Sequence, residues 1–206
     1  MQNQPIPSAA NVSDALRELD WKFQTMHSSM RAIVPDVAVS GPAFSVRCYA
    51  GATWALSRAI EEAPPGSILV VDGGHFSEGV LMGGLMSLRA KMRGIAGAVV
   101  DGAVRDVSEL RKVGWPVFAS AITPRAGTHD QQGAWNIPIS CAGVNVSPGD
   151  WVVADNDGVV IVPQAIRDEA FAAARAIEQK EEFVTAALLE GDSLGEAMGK
   201  WKQSIS

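Results

Sequence analysis

The sequence predicts an α/β fold, arranged as a sandwich with a mixed sheet. Between residues 42 and 120, short apolar strands alternate with helical segments, which is the pattern of parallel β–α–β units. Between residues 137 and 162, the chain changes to short strands separated by tight turns. Residues 164–190 are rich in Ala and Glu and predict a long helix. No repeat or long linker interrupts the sequence, so we expect a single domain over residues 1–206.

The first elements follow from helical spacing and from alternation. Residues 13–20 begin with Ser13 as a capping residue and carry apolar side chains at helical spacing, which predicts a helix. Apolar and polar residues alternate over residues 42–49 and predict a strand. The next helix, over residues 52–63, is expected to end before Pro64.

Five elements follow in the middle of the chain, in the order strand, helix, strand, helix, strand. They are predicted over residues 68–71, 80–93, 98–100, 106–114 and 116–120. The first two of these strands end at Asp-Gly pairs, Asp72-Gly73 and Asp101-Gly102. Because ligands in α/β folds collect beyond the carboxyl ends of strands, we expect the functional site near these pairs.

The last part of the chain predicts a hairpin followed by helices. Residues 155–158, Asp-Asn-Asp-Gly, lie between two apolar runs and are a strong hairpin signal. A long helix is expected over residues 164–190 and a short one over residues 193–201. Residues 164–201 are therefore expected to form a helical tail.

Charge and composition argue against several classes of partner. The net charge is −6 and no run of Lys or Arg occurs, so we expect no nucleic-acid partner, which would need a clustered basic face. The apolar runs are short, and the first residues do not resemble a signal peptide, so we expect no membrane partner and a cytoplasmic protein. Cys48 and Cys141 form no Cys-x-x-Cys pair and are expected to be small buried side chains.

Arg105 and Asp106 lie just beyond the second Asp-Gly pair, where a helix begins. A guanidinium is a permanent charge whose planar fork matches a carboxylate or an enolate. The neighbouring carboxylate offers an oxygen ligand to magnesium or manganese, and magnesium sites with one carboxylate are normal because the ion keeps several waters. The alternative is an ordinary surface salt bridge at the start of a helix.

Other candidates are a glycine-containing segment and two histidines. Glycines in residues 83–86 allow a ligand to approach backbone N–H groups, which bind carboxylates, although they could instead serve helix packing. His75 could act as an acid or base at the strand ends, or could be a loop histidine in contact with water. The pair His129-Asp130 could orient an imidazole, but no Ser or Cys nucleophile motif accompanies it.

Two segments carry a resemblance to a known family. The sequence VVDGAVRD at residues 99–106 is followed at a distance by PGDWVVADNDGVVIVP at residues 148–163. Within a similarity that covers residues 12–185, they resemble the RraA-like family. This family includes 4-hydroxy-4-methyl-2-oxoglutarate aldolases, 4-carboxy-4-hydroxy-2-oxoadipate aldolases and the regulator of ribonuclease E activity. The resemblance implies a swivelling α/β/β sandwich that assembles into homotrimers or homohexamers.

The resemblance also implies roles for the candidate residues. Asp106 is expected to hold the divalent metal, magnesium or manganese, partly through waters. Arg105 is expected to contact the substrate and to stabilise the developing enolate oxygen. The site is expected between subunits, where Glu181 or Glu182 of a neighbouring copy would contact metal-bound water. The backbone groups expected to bind the pyruvyl carboxylate are those of Gly83, Gly84, Leu85 and Met86.

The implied activity is metal-dependent aldol cleavage of a small 2-oxo acid. A 4-hydroxy-2-oxo acid would give pyruvate and a second 2-oxo acid through an enolate that is stabilised electrostatically. The same enolate forms when oxaloacetate loses carbon dioxide, so decarboxylase activity is an expected companion. The alternative function is a non-catalytic, protein-binding regulator of an RNA-degrading enzyme, because an acidic protein suits a basic partner surface.

One position departs from the family pattern. Aldolase members often carry an acidic residue at the second position of the four-residue segment 83–86, where this chain has Gly84. The missing carboxylate could have ordered metal-bound water or assisted the base. Asp101 or His75 could substitute for it, and the sequence does not favour one over the other.

Overall fold

A computed structural model describes residues 6–130 and 132–205 of the chain. The described helices are α1 (Ala9–Glu18), α2 (Trp54–Glu62), α3 (Gly84–Met92), α4 (Val107–Val113), α5 (Arg167–Leu189) and α6 (Leu194–Ser204). The described strands are β1 (Arg31–Ala32), β2 (Val39–Arg47), β3 (Ile68–Met82), β4 (Gly97–Val104), β5 (Val117–Ile122), β6 (Ala134–Trp135), β7 (Ile139–Cys141), β8 (Val144–Val146), β9 (Trp151–Asp155) and β10 (Gly158–Val162).

The main sheet is mixed, as the sequence predicts. Its order is β1-β5-β4-β3-β2-β9-β10, and β6 also pairs with β2. Strands β2 to β5 are parallel, whereas β1, β6, β9 and β10 join antiparallel. β2 pairs with β9 through Val39–Pro42 and with β3 through Ala43–Arg47, so it passes from one layer of strands to the next.

β3 contributes side chains to two separate cores. Leu69 and Val71 pack toward α2, α3 and α4, whereas Ile68 and Val70 pack on the opposite face toward the later strands. Successive side chains of a strand point to opposite faces, so a strand that is apolar at every position is buried on both. All four side chains are fully buried. This explains why an uninterrupted apolar run predicts an inner strand.

The β9–β10 hairpin forms a second strand layer that has helices on its outer face. Val152 and Ile161 point inward toward β3. Val153 and Val160 point outward and pack against α1 and α5. The layers are therefore α2 to α4, the parallel strands, the hairpin, and finally α1 with α5.

α1 begins earlier than predicted, so the expected range 13–20 and the expected cap at Ser13 are wrong. The Ser8 side chain accepts a hydrogen bond from the Asn11 amide at 3.1 Å and caps the helix. Val12 and Leu16 are buried on the inner face of α1. Ser8 takes the capping role because its hydroxyl reaches one of the free N–H groups that every helix start presents.

β3 continues beyond the Asp-Gly-Gly sequence at which we expected it to end. Gly74 and His75 adopt positive φ angles of 64° and 57°. The pairing of β3 with β4 then resumes at Phe76 and continues through Val80 and Met82 with shifts of register. The positive-φ residues therefore produce a bulge inside the strand instead of a turn.

α3 starts at Gly84 instead of residue 80, which corrects the predicted range 80–93. Val80 and Met82 pair with Ala103 and Val104 of β4, so sheet hydrogen bonds hold this segment as a strand. β4 is correspondingly longer than the predicted residues 98–100. Pairing between β3 and β4 therefore decides where α3 begins and where β4 ends. The local spacing of apolar residues carries no information about this pairing.

The predicted hairpin and helical tail are confirmed. Asp155 and Gly158 face each other where β9 turns into β10. A 3-10 turn at Gln164–Ile166 leads into α5, and α6 begins at a capping box formed by Ser193 and Glu196. Within residues 6–130 and 132–205, no helix is both long enough and apolar enough to cross a membrane.

Candidate functional site

A cavity of about 280 Å³ lies beyond the carboxyl ends of β3 and β4. Among the residues that line it are five that the sequence predicts for the site and one that the sequence offers only as a weaker candidate: Gly83, Leu85, Met86, Arg105, Asp106 and His129. This position agrees with the general location of ligand sites in α/β folds. Residues from two separate βα connections therefore meet at one cavity, although neither Asp-Gly pair lines it, because β3 and β4 both continue beyond these pairs.

Asp106 lies between β4 and α4 in a left-handed backbone conformation, with φ 59° and ψ 41°. It precedes α4 as the N-cap residue, whereas we expected it in the first turn. Its side chain does not cap its own helix. Instead, Oδ2 accepts a hydrogen bond from the Gly84 amide at 3.0 Å, at the start of α3. Left-handed backbone is uncommon outside glycine and concentrates at functional sites, where surrounding contacts maintain it.

Arg105 is anchored next to Asp106 on the same wall of the cavity. Its backbone amide donates a hydrogen bond to the Met82 carbonyl at 3.1 Å, which ties the end of β4 to the end of β3. Its Nε lies 3.6 Å from Asp106 Oδ2, and each side chain is 42% exposed. The pair is therefore half-buried beside a cavity, unlike a salt bridge that is surrounded by solvent. A ligand in the cavity would meet the guanidinium and the carboxylate together.

The two glycines of α3 allow its N-terminus to approach Asp106. A Cβ atom at Gly83 would lie 2.7 Å from Asp106 Oδ2, and one at Gly84 would lie 3.2 Å from Cβ of Glu109. The Gly84 amide is used by Asp106. Leu85 and Met86 line the cavity in the first turn of α3, where backbone N–H groups have no partner within the helix. Four residues were predicted to bind a substrate carboxylate through their backbone. The amide of one of them, Gly84, donates to Asp106 instead.

His75 and Asp101 lie together, but neither lines the cavity of Arg105 and Asp106. The His75 ring contacts the carboxylate of Asp101 through Nδ1 at 2.8 Å. Asp101 is buried and also accepts a hydrogen bond from the Ala142 amide at 2.9 Å. Asp101 therefore holds the residue that follows β7 against β4, and His75 lies outside the set of residues that line the cavity of its own chain.

Glu181 and Glu182 lie on the exposed surface of α5 and do not line the cavity of the same chain. They border a separate, shallow depression on that helix. A role for either residue at the Arg105–Asp106 cavity therefore requires a second copy of the chain.

The two cysteines have no place in the candidate chemistry. Cys48 and Cys141 are both buried, which confirms the prediction, and neither lines the cavity. Burial raises the pKa of the Cys48 thiol to about 12 and raises the pKa of the Cys141 thiol well above its ordinary range. Because a thiolate is the reactive and metal-binding form, both side chains are inert at neutral pH.

His129 lines the cavity, although the sequence singles it out only for its neighbour Asp130 and does not connect it with Arg105 and Asp106. Its Nδ1 lies 3.3 Å from Oγ1 of Thr53. The neighbouring Asp130 does not orient the ring, because its carboxylate accepts a hydrogen bond from Thr128 Oγ1 at 2.8 Å. Only the approach of the loop around residue 128 to the start of α2 brings this imidazole to the cavity.

The residues of the cavity fit a divalent ion that is held by one protein oxygen. Within the described part of the chain, no group of three or more His, Cys, Asp or Glu side chains could enclose a metal. Magnesium does not require such a group, because it retains several waters and binds through one or two carboxylates. Oδ2 of Asp106 accepts the hydrogen bond from Gly84 and forms the ion pair with Arg105, so Oδ1 is the oxygen that would bind an ion.

Comparison with known proteins identifies related sequences over most of the chain. The family described as RraA-like, Aldolase/RraA, matches residues 9–161. A protein of Halalkalibacterium halodurans with the provisional name 4-hydroxy-4-methyl-2-oxoglutarate aldolase is 33% identical over 181 residues, which cover 88% of this chain and 84% of that protein. A 4-hydroxy-4-methyl-2-oxoglutarate aldolase of Thermus thermophilus is 39% identical over 107 residues, which cover 52% of this chain and 65% of that protein.

A solved structure has the same fold. Streptomyces coelicolor RraAS2, described as an unusual member of the RNase ES inhibitor RraA protein family, has a TM-score of 0.78 and 31% sequence identity. The alignment covers 87% of this chain and 93% of that one.

Proposed function

Because the chain belongs to the RraA-like family, we propose that it is a divalent-metal-dependent aldolase that cleaves 4-hydroxy-2-oxo acids at the cavity of Arg105 and Asp106. The resemblance and the swivelling α/β/β fold predicted from the sequence are confirmed by the relatives and by the solved structure. Relatives that are named as 4-hydroxy-4-methyl-2-oxoglutarate aldolases support lyase activity.

The observation that carries the proposal is the shared wall of the cavity. Arg105 and Asp106 line it together with the first turn of α3. The guanidinium and the unpaired N–H groups at the helix start attract negatively charged oxygens. A divalent cation held by the carboxylate would attract them as well. A 2-oxo acid that is becoming an enolate carries two such oxygen groups, its carboxylate and its former carbonyl.

Each group has a distinct task during cleavage. The first-turn N–H groups of Leu85 and Met86 bind the carboxylate of the 2-oxo acid and orient it. Arg105 donates hydrogen bonds to the carbonyl oxygen as it takes up negative charge. Asp106 would hold the magnesium or manganese ion, which when bound supplies Lewis-acid polarisation of that carbonyl. Fixed charges at the developing enolate stabilise the transition state more than the ground state, and this difference raises the rate.

The same arrangement supports oxaloacetate decarboxylation. Loss of carbon dioxide from oxaloacetate leaves the pyruvate enolate, the species that also results from aldol cleavage. Groups that stabilise this enolate therefore serve both reactions. We accordingly propose decarboxylation as a companion activity of the Arg105–Asp106 cavity.

We further propose a homotrimer or homohexamer in which the cavity is completed by a neighbouring copy. Leu85, Leu88 and Met92 are 85%, 44% and 72% exposed and lie on one face of α3, and Leu85 also lines the cavity. Large apolar side chains grouped in this way favour a protein interface. In such an assembly, Glu181 or Glu182 of one copy would approach the cavity of another. Native mass spectrometry is expected to show three or six chains, and a stable monomer would contradict this assembly.

The alternative is a protein that inhibits an RNA-degrading enzyme. Its support is the similarity to RraAS2, which is described as a member of an RNase inhibitor family. The net charge of −6 would suit a basic partner surface. This role, however, gives no reason for a left-handed aspartate and an arginine beside a cavity.

A pyruvate-release assay separates the two functions. The substrates are 4-hydroxy-4-methyl-2-oxoglutarate and oxaloacetate, each with magnesium and with a chelator. We expect metal-dependent turnover, and Arg105→Ala is expected to lower kcat by about 100- to 1,000-fold, the usual effect of removing one oxyanion donor. Arg58→Ala, which removes an exposed arginine of α2, is the control and should act like the unchanged protein. Absence of turnover on any 2-oxo acid, together with tight binding to an RNase, would favour the inhibitor.

A further inference from the structure

We propose that His129 is the proton acceptor of the aldol reaction, with Nε2 taking the proton of the substrate's 4-hydroxyl group. This inference rests on the proposed aldolase function. It assigns a base in a chain that has Gly84 where aldolase members often carry an acidic residue. His129 lies on the cavity with Arg105 and Asp106, whereas His75 and Asp101 lie outside it. The position of the ring, its tautomer and the chemistry of the cavity each support the assignment.

The loop that carries His129 is held against the body of the protein by its backbone. Thr128 donates its amide hydrogen to the Gly51 carbonyl at 2.8 Å, and its own carbonyl accepts a hydrogen bond from the Thr53 amide at 3.0 Å. A Cβ atom at Gly127 would clash with the carbonyl oxygens of Val80 and Gly51. The backbone of the loop is therefore in direct contact with the segment before α2. This contact fixes the position of the His129 backbone, from which its side chain extends.

We assign the tautomer of the His129 ring from its contact with the hydroxyl of Thr53. Thr53 Oγ1 donates its one hydrogen to the Thr128 carbonyl at 3.1 Å. Its contact with His129 Nδ1 at 3.3 Å can then be a hydrogen bond only if Nδ1 carries the hydrogen and donates it. In a neutral imidazole the other nitrogen, Nε2, is then unprotonated. The bond to Thr53 thus leaves a basic nitrogen on the opposite side of the ring.

Few groups on the cavity can accept a proton. Among the described residues that line it, only Asp106 and His129 carry a carboxylate or an imidazole, the side-chain types that act as general bases. Asp106 is engaged by the Gly84 amide and by Arg105, and it is the residue expected to bind the ion. An arginine guanidinium is a hydrogen-bond donor without an acceptor atom, so Arg105 cannot serve as the base. His129 is therefore the side chain available for the 4-hydroxyl proton.

The proposed step is balanced without an oxidant or a second substrate. Nε2 takes the hydroxyl proton, and the oxygen electron pair forms the carbonyl of the departing 2-oxo acid. The bond between carbons 3 and 4 breaks, and its electron pair forms the enolate of pyruvate. The imidazolium then returns the proton to carbon 3, which gives pyruvate and regenerates the neutral ring. Oxaloacetate decarboxylation has no hydroxyl proton to remove, so His129 has no such task in that reaction.

This difference between the two reactions gives a specific test. His129→Asn keeps an N–H donor where Nδ1 stood and removes the basic nitrogen. We expect it to lower kcat for aldol cleavage by about 100-fold or more, the range of general-base catalysis, while oxaloacetate decarboxylation changes little. His129→Ala should lose aldol cleavage in the same way and recover part of it when imidazole is added. His27→Asn replaces an exposed histidine outside the cavity and should leave both reactions unchanged.

Each contrary outcome has one meaning. If His129→Asn and His129→Ala cleave the aldol substrate at the rate of the unchanged protein, the inference is overturned and the aldolase function stands. If both reactions fall equally and imidazole restores neither, His129 has a structural role and the inference is again overturned. If the unchanged protein turns over neither substrate, the proposed function fails and this inference fails with it.

Discussion

The carboxylate of Asp106 and the backbone amide of Gly84 are joined by a hydrogen bond of 3.0 Å across 22 residues of sequence. This bond connects the end of β4 to the start of α3. It aligns the Asp106 carboxylate with the helix N-terminus, where partial positive charge favours an anion. The left-handed backbone of Asp106 is the conformation that turns its side chain toward α3, away from its own helix. The candidate site thus depends on a contact between two βα connections.

The first prediction tests the close approach of α3. Gly83→Ala would place a Cβ atom 2.7 Å from Asp106 Oδ2 and must displace the carboxylate or the helix start. We expect kcat/KM for pyruvate release to fall by about 100-fold, the usual effect of a displacement of about 1 Å at a reacting centre. Gly199→Ala in α6 is the control, since its Cβ atom meets nothing within 4 Å and alanine favours a helix. Equal activity of the two variants would contradict the proposed geometry.

The second prediction separates the structural role of Asp106 from its chemical role. Asp106→Asn keeps an oxygen that can accept from the Gly84 amide and tolerates the left-handed backbone, so its unfolding free energy should change by less than about 0.5 kcal/mol. Asp106→Ala loses both features and should be destabilised by about 1–2 kcal/mol in urea unfolding. Both variants should lose pyruvate release. An active Asp106→Asn variant would mean that the carboxylate charge is not needed.

Much of the fold could be predicted because its signals are local. The apolar run at Ile68–Val71 and the Asp-Asn-Asp-Gly turn at residues 155–158 are each sufficient to identify an inner strand and a hairpin. The start of α1 was wrong by several residues because two serines compete to cap it and only Ser8 reaches a free amide. Local signals therefore identify an element more reliably than they locate its ends.

The candidate site could be predicted only in part. The adjacency of Arg105 and Asp106 is visible in the sequence, and the strand end places both at the cavity. His129 could not be found in this way, because its position depends on backbone bonds between its loop and residues Gly51 and Thr53, more than 70 residues earlier. His75 and Asp101 were candidates because they lie at or beside the two Asp-Gly pairs. In the structure the bulge after Asp72 brings His75 to Asp101, and neither residue lines the cavity.

The third prediction concerns the cysteines. Burial raises the pKa of the Cys48 thiol from 9.0 to about 12, so the folded protein holds this proton more tightly than the unfolded chain does. The resulting contribution to stability is complete below pH 9 and is lost as the pH rises toward 12. We expect the unfolding free energy to fall with pH in this alkaline range, and to fall less steeply in Cys48→Ala.

The same burial predicts slow chemical modification. At about pH 8, a thiol reagent should label Cys48 and Cys141 only as fast as the chain unfolds, because the thiolate is the reactive form. Urea should accelerate the labelling in parallel with the loss of folded protein. Rapid labelling of the folded chain would show that the thiols are accessible and would contradict this prediction.

The most direct measurement is the binding of oxalate, a planar dianion that resembles the pyruvate enolate, by calorimetry with and without magnesium. The account predicts metal-dependent binding that weakens by at least about tenfold in Asp106→Asn, because stable analogues of a transition state report the groups that stabilise it. Asp168→Asn is the matched control, since Arg167 and Asp168 form the same dipeptide with a salt bridge of 2.8 Å on the exposed surface of α5. Oxalate binding that ignores magnesium, or that is equal in the two variants, would contradict the claim that Arg105 and Asp106 hold an ion and an enolate side by side.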